Sequence, residues 1–317
     1  MVVNMRSRYV SIECRSLTKR FDGTAVVDDL SFEVAAGTIT GFVGANGAGK
    51  TTTMRMILGL VAPSAGAALV NGSAYRALKH PRREVGAVLD GPGAHPAHSA
   101  RTHLTISATA AGLPLARVGE VLELVELTEH ARRPAGAFSM GMRQRLALAA
   151  AMLGDPRVLI LDEPVNGLDP PGIIWMRDLL RRLAAEGRAV LVSSHLLAEL
   201  AEVADRVVII DRGRLIADST LTELLGGRTR VVELHCANPT TMAAALRDRG
   251  TIVSVDGDLL VIQGSSARDV GELAASIGAG PVYRLSERAS TFEAAYLELA
   301  GTLGRPSNAS TAEANTP

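Results

Sequence analysis

Residues 44–51 of this 317-residue chain have the sequence GANGAGKT, which fits the phosphate-binding loop pattern G-x-x-x-x-G-K-[ST]. Glycines let such a loop turn tightly and point successive N–H groups at an anion. Lys50 can then reach the outer phosphates of a nucleotide, and the Thr51 hydroxyl can bind Mg²⁺. The predicted phosphate contacts are Gly44, Asn46, Gly47, Gly49, Lys50, Thr51 and Thr52.

Two carboxylates follow the apolar run at residues 158–161. A buried strand ending in Asp162 and Glu163 would place both where parallel α/β sheets bind their ligands. Asp162 is predicted to hold Mg²⁺, and Glu163 to orient or deprotonate an attacking water. The alternative interpretation is an ordinary acidic turn, which the phosphate loop upstream disfavours.

Three further segments carry candidate binding residues. His195 follows a predicted strand at residues 189–193 and is predicted to contact the γ-phosphate, although a lone histidine is usually structural. Ser139 and Gly141 begin a predicted helix, where capped, exposed N–H groups attract anions. Phe21, in a predicted connection, is a candidate for stacking on a purine; the alternative is a core phenylalanine.

The elements that must position these residues predict an α/β fold. Buried strands are expected at 39–43, 85–90, 158–161 and 189–193, with 206–210 as the last core strand. Strands at 10–14 and 67–71 and two short segments within 26–34 predict a small antiparallel layer. Residues 101–127 have helical periodicity and lie within a helical subdomain predicted over about 95–154.

The pattern of predicted strands and helices changes near residue 228. A first domain is therefore predicted over 1–226 and a second over 227–301. Its strands are expected at 231–234, 252–255, 259–262 and 282–285, and its helices at 240–249 and 267–277. This β-α-β-β-α-β order predicts a small α+β, ferredoxin-like domain, closed by a helix at 291–299. Residues 302–317 are predicted to be disordered.

Net charge, cysteine positions and the lengths of apolar runs limit the partners and the cellular location expected for this chain. The formal net charge is zero and the pI about 7.1, which argues weakly against nucleic acid as a partner. Cys14 and Cys236 lie far apart, without metal-ligand spacing. Neither a signal peptide nor an apolar run of about 20 residues is visible. We therefore expect a cytoplasmic chain that reaches a membrane only through another protein.

The motifs together resemble the nucleotide-binding subunit of an ATP-binding cassette (ABC) transporter, over about residues 10–225. Residues 138–142 stand at the family signature, with Met140 and Met142 replacing the usual glycine and glutamine. Asp162, Glu163 and His195 match the Mg²⁺ ligand, the catalytic carboxylate and the switch histidine. The resemblance implies a P-loop NTPase cassette that binds ATP and Mg²⁺ and hydrolyses ATP.

The same resemblance implies further contacts and partners. Asp90 stands where the family has a glutamine that contacts Mg²⁺, and Asp169 matches a loop that contacts the opposite subunit. Two subunits would pack head to tail, so that each ATP touches the phosphate loop of one chain and Ser139 and Gly141 of the other. A separate multi-span permease would hold the pair at the inner face of the cell membrane.

The variant signature and Asp90 are similar to antibiotic-exporting cassettes of the bacitracin and daunorubicin resistance type, which implies export of drug-like compounds. An importer cassette and a soluble, non-transport ABC ATPase are the alternatives. Soluble cassette ATPases of translation usually carry two cassettes, whereas this sequence has one phosphate loop. Chromosome-maintenance ATPases need long heptad arms between their motifs, and the sequence contains none.

Overall fold

The computed structural model describes residues 10–89, 93–195, 197–226, 230–289, 292 and 295–296. The chain divides between Thr220 and Leu221 into two compact units. The domain boundary predicted at 226/227 lies six residues later, and the predicted domain limits stay a prediction. Among the helices of the described residues, none combines the length and the apolar character needed to cross a bilayer.

The first unit contains a three-stranded antiparallel sheet in the order β2-β1-β4. Its strands are β1 (Val10–Phe21), β2 (Thr24–Ala35) and β4 (Ala65–Val70). The antiparallel layer was predicted, but β1 and β2 are longer than expected. The prediction of a short strand and two short segments was wrong because register irregularities, with Ser16 and Asp29 at positive φ, interrupt the alternation without ending the strands.

A six-stranded sheet, in the order β5-β6-β7-β3-β8-β9, forms the centre of the first unit. Its parallel strands are β3 (Ile39–Val43), β5 (Val85–Val88), β6 (Val158–Leu161), β7 (Ala189–Ser194) and β8 (Arg206–Asp211). Strands β3, β6 and β7 are wholly buried, which explains their apolar runs. Strand β5 ends earlier than predicted.

The last strand of this sheet was not predicted. Strand β9 (Arg214–Thr220) pairs antiparallel with β8 at the edge of the sheet. Arg212 and Gly213, both at positive φ, form the turn between the two strands. Residues 206–210 were expected to form the last core strand, and β8 is the last strand of this sheet along the chain with buried residues. Strand β9 was missed because its residues are exposed or half-buried, so it has no buried apolar run.

Seven α-helices occur in the described part of the first unit: α1 (Lys50–Ile57), α2 (Pro81–Glu84), α3 (Ala100–Ala110), α4 (Ala116–Leu124), α5 (Met140–Met152), α6 (Pro170–Ala185) and α7 (Leu197–Ala201). Helices α3, α4 and α5 contact one another and bury Leu104, Leu122 and Leu146. The two sheets share a core in which the rings of Phe32 and Phe42 stack with centroids 5.2 Å apart.

The second unit contains helix α8 (Leu221–Gly226) and then β10 (Arg230–Cys236), α9 (Pro239–Asp248), β11 (Ile252–Asp256), β12 (Leu259–Gln263), α10 (Ala267–Ser276) and β13 (Val282–Ala289). The four strands form an antiparallel sheet in the order β11-β12-β10-β13. Its element order is the one expected, and its assignment as a ferredoxin-like domain stays a prediction. The tail at 302–317 lies outside the described residues, as does most of the helix predicted at 291–299.

Helix α10 begins with a capping box that can be tested directly. The Ser266 hydroxyl accepts a hydrogen bond from the Asp269 N–H at 3.1 Å, and the Asp269 carboxylate accepts one from the Ser266 N–H at 3.4 Å. We expect Ser266→Ala to destabilise α10 by about 1 kcal/mol and to speed amide hydrogen exchange along it. Arg268→Ala, which removes only an exposed ion pair on the same helix, should leave that exchange unchanged.

Candidate functional site

The phosphate loop connects β3 to α1, as the sequence predicted. Gly47 and Gly49 have φ values of 83° and 103°, in the left-handed region that other residues rarely adopt. A Cβ atom on Gly49 would also lie 2.7 Å from the Val26 carbonyl oxygen. Glycine is therefore required at residue 49 both for backbone conformation and for space, directly before the N-terminus of α1.

Lys50 is the first residue of α1 and is 93% buried, with a relative exposure of 7%. Its ammonium donates hydrogen bonds to the carbonyl oxygens of Gly44 at 2.6 Å and Ala45 at 3.3 Å. Burial lowers the pKa of Lys50, while the nearby carboxylates of Glu163 and Asp162 act in the opposite direction. The loop thus holds one desolvated cation, which an anionic ligand would stabilise.

Two oxygen ligands suited to Mg²⁺ lie within hydrogen-bonding distance of each other: the hydroxyl of Thr51 in α1 and the carboxylate of Asp162, which follows β6. The Thr51 hydroxyl donates a hydrogen bond to Asp162 Oδ2 at 2.7 Å. Asp162 is 5% exposed, and its N–H donates to the Val88 carbonyl oxygen at 2.8 Å, which ties the end of β6 to β5. A hydroxyl and a carboxylate are the hard donors that Mg²⁺ takes beside nucleotide phosphates, so both residues fit this ion.

Glu163 and His195 form a second polar pair in the same place. Glu163 Oε2 lies 2.7 Å from His195 Nδ1 and accepts a bond from the His195 N–H at 3.3 Å. Glu163 has a φ of 49°, which is uncommon for a residue with a side chain. This geometry holds together a carboxylate, which can act as a base, and an imidazole, which can hydrogen-bond a phosphate.

An open cavity of about 340 Å³ joins these groups. Its lining residues are Val26, Asn46, Gly47, Gly49, Lys50, Thr51, Thr52, Asp162, Glu163, Asn166 and His195. Most of the predicted phosphate, metal and catalytic residues therefore meet in one place, and Gly44 contacts Lys50 beside them. Asp90 lies outside the described residues, so its predicted contact with Mg²⁺ is neither supported nor opposed.

Ser139, Gly141 and Asp169 are not among the residues that line this cavity. Ser139 caps α5, accepting a hydrogen bond from the Met142 N–H at 3.2 Å, as predicted. Asp169 caps α6 by accepting one from the Gly172 N–H at 3.1 Å. Met140 packs on Gly167, where a Cβ atom would lie 2.7 Å from Met140 Cγ.

The signature segment and the 166–169 loop therefore form a second cluster of predicted ligand residues. Arg145 of α5 stacks its guanidinium on the Trp175 ring of α6 at 3.9 Å and bonds to the Val125 carbonyl oxygen at 3.1 Å. The starts of α5 and α6 are thus held beside each other, and within the 166–169 loop Asn166 lines the cavity whereas Asp169 does not.

Phe21 lies at the end of β1 rather than in a connection, and is 46% exposed. The Lys19 ammonium lies 4.9 Å from the centre of its ring. Exposure excludes the alternative of a core phenylalanine. Since Phe21 does not line the cavity, its stacking on a purine stays a prediction.

Sequence reasoning missed three residues at the site. Val26 and Asn166 line the cavity, and Ser193 donates a hydrogen bond to Asp162. Val26 is brought there from β2 by tertiary packing, for which the sequence has no signal. For Ser193 the sequence did contain a signal. A hydroxyl at the carboxyl end of an otherwise apolar, buried strand requires a polar partner.

The chain is similar to ATP-binding proteins of transporters. A family model for ABC transporters matches residues 27–166. The bacitracin transport ATP-binding protein BcrA of Bacillus licheniformis is 39% identical over 230 residues, or 72% of this chain and 75% of the relative. The Nod factor export ATP-binding protein I of Burkholderia lata is 34% identical over 297 residues, or 92% of this chain and 97% of the relative.

A solved structure described as the ATP binding subunit of an ABC transporter superposes with a TM-score of 0.63 at 27% identity. The match covers 84% of this chain and 99% of the solved one. Because the likeness spans nearly the whole length of such subunits as well as the phosphate loop, the chain belongs to the ABC transporter family, as an ATP-binding subunit that hydrolyses ATP.

Proposed function

We propose that this chain powers the export of an antibiotic or similar drug-like compound through a separate membrane permease. The observation that carries the proposal is the likeness to a bacitracin transport protein over 72% of the chain, beside a cavity lined by a lysine, two carboxylates and a histidine. The relative named for Nod factor export also supports export rather than import. In this proposal the chain is peripheral to the cytoplasmic face of the membrane.

The proposed reaction is in-line attack of water on the γ-phosphorus of ATP, in which the bond from that phosphorus to the β,γ-bridging oxygen breaks and ADP leaves with the bridging oxygen. Glu163 takes the proton of the attacking water, and His195, 2.7 Å from Glu163, holds the γ-phosphate. The Lys50 ammonium exchanges its carbonyl partners for phosphate oxygens and stabilises the charge that develops on them. Thr51 and Asp162 would hold Mg²⁺, which supplies further charge stabilisation when bound.

A head-to-tail pair of subunits is supported by the predicted ligand residues that do not line the cavity. Ser139, Gly141 and Asp169 do not line the cavity of their own chain, yet the capped start of α5 presents backbone N–H groups suited to an anion. A second copy would bring these residues to the γ-phosphate. ATP would then close the pair, and hydrolysis would let it open, which transmits motion to the permease.

The role of Glu163 can be tested by Glu163→Gln. This change keeps the size of the side chain but removes the base, so ATP binding should persist while turnover falls by roughly 10²–10⁴-fold. Steady-state phosphate release and equilibrium ATP binding measure the two effects. Light scattering of the variant with ATP should detect a dimer that the nucleotide-free protein does not form.

Glu186→Gln is the matched control, because Glu186 is an acidic residue at the end of α6 whose described contacts are with Arg188. Its turnover should equal that of the unaltered protein. Near-normal phosphate release by Glu163→Gln would refute the assignment of Glu163 as the base.

The lowered pKa of Lys50 predicts how ATP binding depends on pH. Triphosphate charge favours the ammonium, so ATP binding should raise the pKa of Lys50 again. Between the two pKa values, binding should take up a proton, and affinity should fall as pH rises through this range. Calorimetry in buffers of different ionisation enthalpy measures this uptake.

Lys50→Arg provides the comparison, since a guanidinium stays charged throughout this pH range. The proton uptake that Lys50 contributes should be absent from that variant. An equal uptake in both proteins would mean that another group, and not Lys50, gains the proton.

The transport assignment is tested by co-purification from membranes of the native host in mild detergent. We expect mass spectrometry to identify a stoichiometric multi-span protein with the tagged chain. Adding that protein in vesicles should increase ATP turnover. A soluble partner instead, from membranes that retain other transporters, would favour a non-transport ABC ATPase with the same ATP site.

A further inference from the structure

Ser193 connects the two carboxylate residues of the site, although it does not line the nucleotide cavity. It lies in β7, between β6 and β3, and is completely buried. Its hydroxyl donates a hydrogen bond to Asp162 Oδ1 at 2.5 Å and accepts one from the Glu163 N–H at 2.9 Å. One hydroxyl therefore serves both as a donor and as an acceptor between adjacent residues of different predicted function.

The bond to Asp162 fixes the orientation of its carboxylate. Asp162 Oδ2 accepts from Thr51 at 2.7 Å, while Oδ1 accepts from Ser193. Two directed bonds, one to each oxygen, define the plane of a carboxylate better than one does. Thr51 is itself a predicted Mg²⁺ ligand, whereas Ser193 is a supporting partner behind the carboxylate, the kind of residue that orients metal ligands.

The bond to Glu163 supports an unusual backbone conformation. Glu163 has a φ of 49°, a region that a residue with a side chain occupies only where surrounding contacts hold it. Its N–H is fixed by Ser193, and its carbonyl oxygen accepts from the Asn166 N–H at 3.1 Å. These two bonds anchor the peptide from which the Glu163 side chain reaches His195.

We propose that Ser193 is a positioning residue that sets the Asp162 carboxylate for Mg²⁺ and the Glu163 backbone for water activation. This inference rests on the proposed site, and adds to it a residue that touches neither nucleotide nor metal. Among the described residues, loss of the hydroxyl leaves the Asp162 carboxylate with the Thr51 hydroxyl as its hydrogen-bond partner and removes the partner of the part-buried Glu163 N–H. Both metal binding and turnover then weaken, while the phosphate loop keeps its contacts.

Thr40 shows that a buried hydroxyl in this sheet need not have such a role. It lies on β3, beside β7, and is also completely buried. Its hydroxyl has no hydrogen-bond partner among the described residues. Thr40→Val removes this hydroxyl at nearly constant volume, and since no bond is lost, the change should be neutral or stabilising. It is therefore a matched control for removing a buried hydroxyl from the same sheet.

The test compares Ser193→Ala with the unaltered full-length protein. We expect the affinity for Mn²⁺, followed by electron paramagnetic resonance with a non-hydrolysable ATP analogue, to fall roughly 10- to 100-fold. The analogue itself should bind equally well without metal, because the loop is unchanged. The kcat should fall by a similar factor at saturating metal with little change in KM for ATP, since Glu163 is also displaced.

Ser193→Thr keeps the hydroxyl and should restore metal affinity and kcat, whereas Thr40→Val should match the unaltered protein. Unchanged Mn²⁺ affinity and kcat in Ser193→Ala would overturn the proposal. If Ser193→Ala does not fold, Ser193→Cys keeps the volume with a weaker donor. Reduced Mn²⁺ affinity in that variant supports the role, and unaltered affinity overturns it.

The experiment separates this inference from the function on which it rests. Absence of ATP hydrolysis by the unaltered protein would refute the proposed reaction, whatever the variants do. Normal hydrolysis by the unaltered protein, with Ser193→Ala behaving identically, would refute only the positioning role.

Discussion

Parallel pairing of β6, β7 and β3 is the constraint on which the site depends. Parallel strands end at the same edge of a sheet, so this pairing brings together residues that lie far apart in the sequence. The hydrogen bond from Thr51 to Asp162 spans 111 positions, and that from Ser193 to Asp162 spans 31. Neither bond could form if the register of these strands shifted by one residue, because every side chain would then face the other way.

Charged side chains are buried at the edge of the sheet where these parallel strands end. Lys50 and Asp162 are both nearly inaccessible, and an isolated charge in such surroundings is strongly unfavourable. Each is therefore satisfied locally: the ammonium by two loop carbonyl oxygens, the carboxylate by two hydroxyls. These are bonds that a triphosphate and a divalent cation can replace, so the folded chain holds its charged groups ready for the ligand.

The second cluster shows how one subunit can carry parts of two sites. The starts of α5 and α6 are held together by Met140 on Gly167 and by Arg145 on Trp175. This packing places the signature segment beside the 166–169 loop. In the proposed head-to-tail pair, both segments would therefore approach the partner's nucleotide together.

The sequence alone determined the positions of the phosphate loop, the two carboxylates and the histidine. Each follows a short apolar run that forms a buried strand, so the end of the run marks the end of the strand. It also determined the order of elements in the second unit, where strand and helix periodicities alternate clearly. It did not determine the full lengths of β1 and β2 or the edge strand β9, since irregular or exposed pairing leaves no continuous apolar pattern. Only the tertiary structure decided that Val26, Asn166 and Ser193 belong to the site, because those relations depend on contacts between segments far apart in the chain.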